Sequence, residues 1–268
     1  MPQPVDRPVL VTGAAGFVGG HLLDLIEPST PAIVAWRRPG EALPPAPTGR
    51  RCRWMDVELL DREAVRAAID EIRPAAVYHL AGAAHAGSSW DRVALTLEVN
   101  VLGTHNLLSA LARHPSGCRV LVPGSALVYA AQDRALTESD PILPGRPYGL
   151  SKLAQEMLAL RAGREGGLGV IVTRSFNHIG PRQDASFFAS SFARQIARIE
   201  RGLDEPVMRV GNLDARRDLT DVRDTVAAYR ALVETGRAGT VFNVCSGRAY
   251  RVQEILDGVG DIAFCQLT

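Results

Sequence analysis

Tyr148 and Lys152 stand four residues apart, in Tyr148-Gly149-Leu150-Ser151-Lys152, at the start of a stretch with helical patterning. That spacing puts both side chains on one helix face. An ammonium beside a phenol favours the phenolate and lowers its pKa. A tyrosine that titrates near ~10 in water then exchanges protons near neutral pH. The pair alone also fits a surface contact, so its position decides. Upstream, the apolar run Arg119–Pro123 leads into Gly124-Ser125-Ala126. If that run is a strand of an open α/β sheet, Ser125 lies at its carboxyl end, where ligands bind. Its hydroxyl can then hold a substrate carbonyl beside Tyr148.

A second constellation lies near the start of the chain. Val9-Leu10-Val11-Thr12-Gly13-Ala14-Ala15-Gly16-Phe17-Val18-Gly19 reads as a strand, a GxxGxxG turn and a helix. Gly13 permits the tight turn, Gly16 lets the backbone approach a pyrophosphate, and Gly19 lets the helix pack closely on the strand. The helix N-terminus adds free N–H groups and partial positive charge. The next apolar run ends at Trp36 and is followed by Arg37 and Arg38, where an NAD site places an acid for the ribose 2′-hydroxyl. Arginine suits a 2′-phosphate instead, so NADP is expected, with NAD as second choice. A solvated basic pair is the other reading of these arginines. Asp56 either accepts from the adenine amino group or is a plain loop aspartate.

These residues need a parallel sheet to carry them. Strands are expected at Pro8–Val11, Ala32–Trp36, Arg51–Met55, Ala75–His79, Arg119–Pro123 and Gly169–Arg174. Helices are expected at Gly16–Ile26, Arg62–Ile72, Ala94–Arg113 and Tyr148–Ala162. The alternation and the apolar strand cores predict an α/β doubly wound Rossmann fold buried on both faces. Pro39–Thr48 reads as an irregular connection. After about residue 175 the pattern loosens, with helices at Phe187–Glu200 and Asp221–Glu234 and a strand at Val241–Val244. The expected division is 1–174, binding the dinucleotide, and 175–268, a smaller substrate-binding part.

Composition excludes several classes. Of 268 residues, 46% are apolar and 22% charged, and the net charge is +1, so no nucleic-acid partner is expected. Phosphate must be held by placed arginines. No apolar run reaches the ~20 residues that span a bilayer, and no signal peptide is read. Cys52, Cys118, Cys245 and Cys265 show no CxxC or His/Cys metal spacing. Reduced thiols, a cytoplasmic setting, no membrane and no metal are therefore expected.

VTGAAGFVGGHL, HLAG (His79–Gly82), SALVY (Ser125–Tyr129) and YGLSK together resemble the extended short-chain dehydrogenase/reductase family, also called the NAD-dependent epimerase/dehydratase family. The likeness runs from about residue 8 to 257. It implies a catalytic triad of Ser125, Tyr148 and Lys152, and matches Asn100 to that family's helix asparagine. It adds Phe17, Val18, Val57, Leu80, Ala81, Gly82 and Asn100 to the cofactor-binding residues named above, together with Tyr148 and Lys152. Arg174–Arg182 resembles the R-x-F-N-x-x-G-P segment beside the sugar nucleotide. Gly211–Asp218 resembles the GNLDAxRD stretch of GDP-mannose 4,6-dehydratases and GDP-4-keto-6-deoxymannose reductases. This implies a substrate-binding set of His85, Ser125, Ala126, Asn177, Arg182 and Arg217, with Asn177 and Arg217 on the diphosphate.

Dehydratases of that group follow the active-site threonine with T-S-E or T-D-E; here the run is Ser125-Ala126-Leu127. Alanine and leucine neither take nor give a proton, so 4,6-dehydration is not expected. Reduction of the 4-keto group of a GDP-linked 4-keto-6-deoxyhexose by NADPH is. A nucleotide-sugar 4-epimerase and a catalytically silent NADP-binding relative are the alternatives. His85 and Trp90 fall in a loop where substrate can pass, or are plain surface residues; His178 is read as lining the pocket. Relatives continue beyond the match near Leu256, so a pocket that is open, completed by another subunit, or damaged is expected. Pairing of the two long helices implies a homodimer.

Overall fold

The computed structural model describes residues 7–42, 52–84, 90–114 and 117–265, with side chains to residue 260. The chain forms two compact units. The first comprises residues 1–175 and 226–244, the second residues 176–225 and 245–268.

The first unit is built on a parallel sheet of β1 (Val9–Thr12), β2 (Ile33–Arg37), β3 (Arg53–Asp56), β4 (Ala76–His79), β5 (Arg119–Pro123), β6 (Gly169–Ser175) and β9 (Thr240–Val244). Their order is β3-β2-β1-β4-β5-β6-β9. The reversal between β1 and β4 is the switch point beside which such sheets bind ligands. Leu10, Val34, Val77, Val120 and Val170 pack into one core with helices α2 (Arg62–Ile72), α4 (Thr104–Leu111) and α5 (Pro147–Gly166). Helix α2 shows how local sequence sets an element. Asp61 caps it by accepting from the Glu63 and Ala64 N–H groups. Val65, Ile69 and Ile72 form its buried stripe, each contributing about 1.5–3 kcal/mol by burial. Arg73 ends it at φ 42°.

Two expectations on this unit are corrected. Residues 94–113 are not one regular helix: α3 (Val93–Leu97) passes into a π-helical stretch, Glu98–Gly103, before α4. Residues 226–244 belong with the sheet, because β9 pairs in parallel with β6, Ile171 beside Thr240 through Ser175 beside Val244. Arg51, and Pro39–Thr48 beyond Ala42, lie outside the described residues.

The second unit holds a small sheet ordered β10-β8-β7, from β7 (Asn177–Ile179), β8 (Arg216–Asp221) and β10 (Ala249–Arg251). Helices α6 (Phe188–Glu200) and α8 (Val252–Cys265) pack together. Of helix α7 (Val222–Thr235), residues 222–225 are counted with the second unit and 226–235 with the first, and α1 (Phe17–Ile26) follows the glycine turn. Among the described residues, no helix is long and apolar enough to cross a membrane.

Candidate active site

Gly13 takes φ +65°, and a Cβ there would come 2.6 Å from the Ala81 nitrogen. The turn thus lies against the end of β4, where Leu80 and Ala81 follow. A Cβ on Gly19 would come 2.7 Å from Ala14 Cα, so α1 packs directly on its own turn. Gly16 is the N-cap of α1, exposed and with no capping side chain. The first N–H groups of the helix therefore have no side-chain cap and suit an anion. Phe17 and Val18, half-buried, follow in the first turn.

At the end of β2 the two arginines differ. Arg37 is forked onto Asp56, Nε to Oδ1 at 2.5 Å and Nη2 to Oδ2 at 3.4 Å, and its Nη1 donates to Glu41 O at 3.0 Å. The Asp56 carboxylate expected at an adenine amino group is thus held by Arg37. Arg38 forms no ion pair with the described residues; its backbone N–H donates to the Glu41 carboxylate at 3.2 Å and its carbonyl accepts from the Glu41 N–H at 3.0 Å. Val57, expected at the cofactor, packs its side chain in the core and donates its N–H to Arg37 O. Only its carbonyl is left for a ligand.

A buried hydrogen-bond chain links the glycine turn to Lys152. The Ala81 N–H donates to Thr12 Oγ1 at 3.2 Å, and Thr12 Oγ1 lies 2.9 Å from His79 Nδ1. His79 Nε2 lies 2.9 Å from Thr104 Oγ1, which donates to Asn100 O at 2.7 Å. Gln155 Nε2 donates to the same Thr104 oxygen at 2.7 Å, and Lys152 Nζ donates to Gln155 Oε1 at 2.7 Å. Thr104 has one hydroxyl proton, spent on Asn100 O, so His79 must donate from Nε2 and accept from Thr12 at Nδ1. Burial, helped by the nearby Lys152 charge, lowers the pKa of His79 to about 3, so the ring is neutral.

Lys152 is the only lysine in the sequence, and it is buried. Its ammonium also donates to Pro123 O at 2.8 Å. Burial lowers its pKa to about 8. Gly82 passes close by: a Cβ there would come 2.9 Å from Asn100 Oδ1 and 4.0 Å from Lys152 Nζ. Asn100 itself is fully buried in the π-helical stretch. Its amide nitrogen donates to Ala83 O and Ser151 Oγ, and its oxygen accepts from the Ala83 N–H. Expected to bind the cofactor, it instead ties the segment after β4 to α5, with both donors used internally.

Ser125 stands two residues after β5 and caps the short turn Ala126–Val128, its hydroxyl accepting from the Leu127 N–H at 3.2 Å. The hydroxyl proton remains available. Tyr148 occupies the first turn of α5, behind Pro147 at its start. Gly149 brings the two elements together: a Cβ on it would come 2.5 Å from Leu127 O. The expectation that Lys152 lowers the pKa of Tyr148 is reversed. Burial, with the neighbouring Tyr229, raises it, and the lysine's hydrogen bonds go to Pro123 and Gln155. Tyr148 thus holds its proton more firmly than a tyrosine in water.

In the second unit, Asn177 is exposed on β7 opposite Leu219, and Arg217 is exposed on β8 with Nη1 donating to Arg216 O. Arg182 is exposed with φ 72°, a left-handed conformation that costs a non-glycine residue about 1–2 kcal/mol. His178 Nδ1 lies 3.2 Å from Phe176 O. Trp90 is exposed, and His85 lies outside the described residues. Arg174, read within the segment beside the sugar nucleotide, is buried against Glu156. Sequence reasoning missed Thr12, Thr104 and Gln155; the one signal open to it was that 152 is the chain's sole lysine.

A glycine turn at a helix N-terminus on a parallel sheet, with a serine in the turn after β5 and a tyrosine and a lysine on α5, is an arrangement that suits a dinucleotide-dependent enzyme class. The family model for the NAD dependent epimerase/dehydratase family matches residues 9–245, and the chain belongs to that family. It is 38% identical over 262 residues to GDP-6-deoxy-D-mannose reductase of Pseudomonas aeruginosa, covering 97% of this chain and 81% of that one. It is 30% identical over 281 residues to UDP-glucose 4-epimerase 2 of Oryza sativa subsp. japonica, covering 93% and 68%. The solved structure of RMD from Pseudomonas aeruginosa complexed with NADPH matches with a TM-score of 0.82 at 36% identity, covering 96% and 82%.

Proposed function

We propose that this protein reduces the 4-keto group of a nucleotide-linked 4-keto-6-deoxyhexose with NADPH, a GDP-sugar being the favoured substrate. The observation that carries this reading is that Gly149 seats the first turn of α5, with Tyr148, against the Ser125 turn, whose next residues Ala126 and Leu127 offer no acid or base. Reduction needs one proton donor at the carbonyl oxygen and no acid or base at C5 and C6. Bound NADPH supplies the hydride. Ser125 donates its free hydroxyl proton as a hydrogen bond to the keto oxygen and orients it. Tyr148 transfers its phenolic proton to that oxygen as the alcohol forms, and the Lys152 charge stabilises the phenolate left behind. Tyr148 then regains a proton from solvent. The 38% identity to a GDP-6-deoxy-D-mannose reductase supports the substrate class.

The residues present fit the cofactor. An uncapped α1 N-terminus suits the pyrophosphate, and the unpaired Arg38 suits a 2′-phosphate, with a family member of known structure complexed with NADPH. On the substrate side, Asn177 and Arg217, both exposed in the second unit, are assigned to the diphosphate, and Arg182 to the substrate-binding set. A homodimer is part of the same proposal. Leu95 and Leu102 along α3 and the π-helical stretch, and Leu150 and Met157 on α5, are 37–63% exposed at i, i+7 spacing. A cytoplasmic setting belongs to the same proposal, and the buried free thiol of Cys118 is consistent with it.

The test is direct. Purified protein is mixed with NADPH and GDP-4-keto-6-deoxymannose, and consumption is followed at 340 nm. NADPH oxidation with formation of a GDP-6-deoxyhexose supports the reading. Interconversion of UDP-glucose and UDP-galactose without net cofactor use points to the epimerase. Cofactor binding without turnover of any keto-sugar points to a silent relative.

A further inference from the structure

Lys152 Nζ has three N–H donors. One goes to Pro123 O at 2.8 Å and one to Gln155 Oε1 at 2.7 Å, which leaves a single donor for a ligand. The Pro123 carbonyl belongs to the backbone of β5 and is fixed by the sheet. The Gln155 amide belongs to a side chain, so its orientation must be set by something else. That is Thr104 Oγ1, which accepts from Gln155 Nε2 at 2.7 Å. Thr104 has no second proton to give, because its hydroxyl donates to Asn100 O, and it also accepts from His79. A flipped amide would set an oxygen against the Thr104 oxygen and an NH2 against the ammonium. The amide therefore has one permitted orientation. Gln155, Thr104 and His79 are all fully or nearly fully buried, so water offers no substitute partner.

We propose that Gln155 is a positioning residue for Lys152: its amide, fixed by Thr104, holds the ammonium so that one N–H remains directed to the site. This rests on the reading of Lys152 as the partner of Tyr148. Among the described residues, its hydrogen bonds go to Lys152 and Thr104, so Gln155 acts through the lysine. The titratable groups around the ammonium are few. His79, at the end of β4, is neutral. Tyr148, one turn earlier on α5, is protonated. Glu156, one residue after Gln155, is committed to Arg174 of β6. With no carboxylate paired to the ammonium, the neutral Gln155 oxygen is one of the two acceptors that keep the charge tolerable in a buried place.

Because the chain has one lysine, protein grown on 13C-labelled lysine yields one lysine side-chain signal, and its titration reads Lys152 without any assay of turnover. The expected result is a midpoint for Gln155→Met about one pH unit below wild type, and for Gln155→Glu above it. Alongside, kcat for the keto-sugar falls in Gln155→Met with little change in the KM for sugar. Gln155→Asn, which keeps an amide but shortens it, replaces the Met variant if that one does not fold, and its midpoint also falls. Equal midpoints in wild type and in the folded Met or Asn variant would overturn the proposal, since a residue that only fills space lowers stability without moving the lysine. A wild type that turns over no keto-sugar defeats the reductase reading alone, while the midpoints still judge Gln155.

Discussion

The guanidinium of Arg174 grips the Glu156 carboxylate with two hydrogen bonds, of 2.6 and 3.0 Å, and each side chain is 4% exposed. Arg174 Nη1 also donates to Tyr129 Oη and Glu138 O, both at 3.0 Å, and the guanidinium lies 4.8 Å over the Tyr129 ring. The pair joins β6 to α5, the helix that carries Tyr148 and Lys152, and to the chain beyond the Ser125 turn.

Removing one partner leaves the other charge buried and alone. Arg174→Met or Glu156→Leu is expected to destabilise the protein by about 3–5 kcal/mol. The double variant Arg174→Met/Glu156→Leu should recover most of that loss, though not the Tyr129 and Glu138 bonds. Urea unfolding of the three proteins checks this; additive losses in the double variant would show that the pair is not coupled.

Lys152 gives the protein a pH dependence of known sign. The lysine titrates at about 8 when folded against 10.5 when unfolded. Below pH 8 it is charged in both states and its full burial cost is present. Between 8 and 10.5 the unfolded chain binds the extra proton, so folding stability rises with pH, by about 3 kcal/mol across the window. The comparison of wild type with Lys152→Met over pH 7–10 isolates this contribution. Turnover should move the opposite way, falling above about pH 8 as the ammonium beside Tyr148 is lost.

Arg37 and Arg38 are expected to behave differently although they are adjacent. Arg38→Ala should raise the KM for NADPH about 10–100-fold and leave NADH nearly unchanged, as expected for one charged hydrogen-bonding site. Arg37→Ala should cost less with NADPH, because its fork is held by Asp56 and Glu41. Steady-state kinetics with both cofactors decides it; a larger effect at 37 would mean that Asp56 releases its arginine to the phosphate.

Arg73 closes α2 in the left-handed region at φ 42°. Glycine takes that conformation without strain, so Arg73→Gly is expected to stabilise by about 0.5–1 kcal/mol, despite loss of the Nε bond to Asp70 O. Thermal unfolding measures this, and a lower melting temperature would contradict it.

The strands of the first unit were legible because each is an apolar run closed by a turn residue. Val9–Thr12, Ile33–Arg37 and Gly169–Ser175 fall within a residue or two of their sequence-based bounds. The π-helical stretch was not, because one extra residue per turn leaves apolar spacing almost unchanged over six residues. Strands β7, β8 and β10 were missed because they are three to six residues long, and Arg216–Asp221 is mostly polar. The glycine turn and the Tyr148–Lys152 spacing are local patterns, readable along the chain. Gln155 was not: its role depends on Thr104, which lies 51 residues away and meets it only when α4 packs on α5. The pairing of Arg37 with Asp56 is likewise a product of β2 lying beside β3.

The interleaving of the two units limits how the polypeptide can be dissected. A fragment ending at Ser175 would lack β9, exposing the β6 edge, and would lack the carbonyls of Leu232 and Val233, to which Arg119 donates. A self-standing first half would require residues 1–175 to be spliced to 226–244, with a short linker in place of the intervening fifty residues.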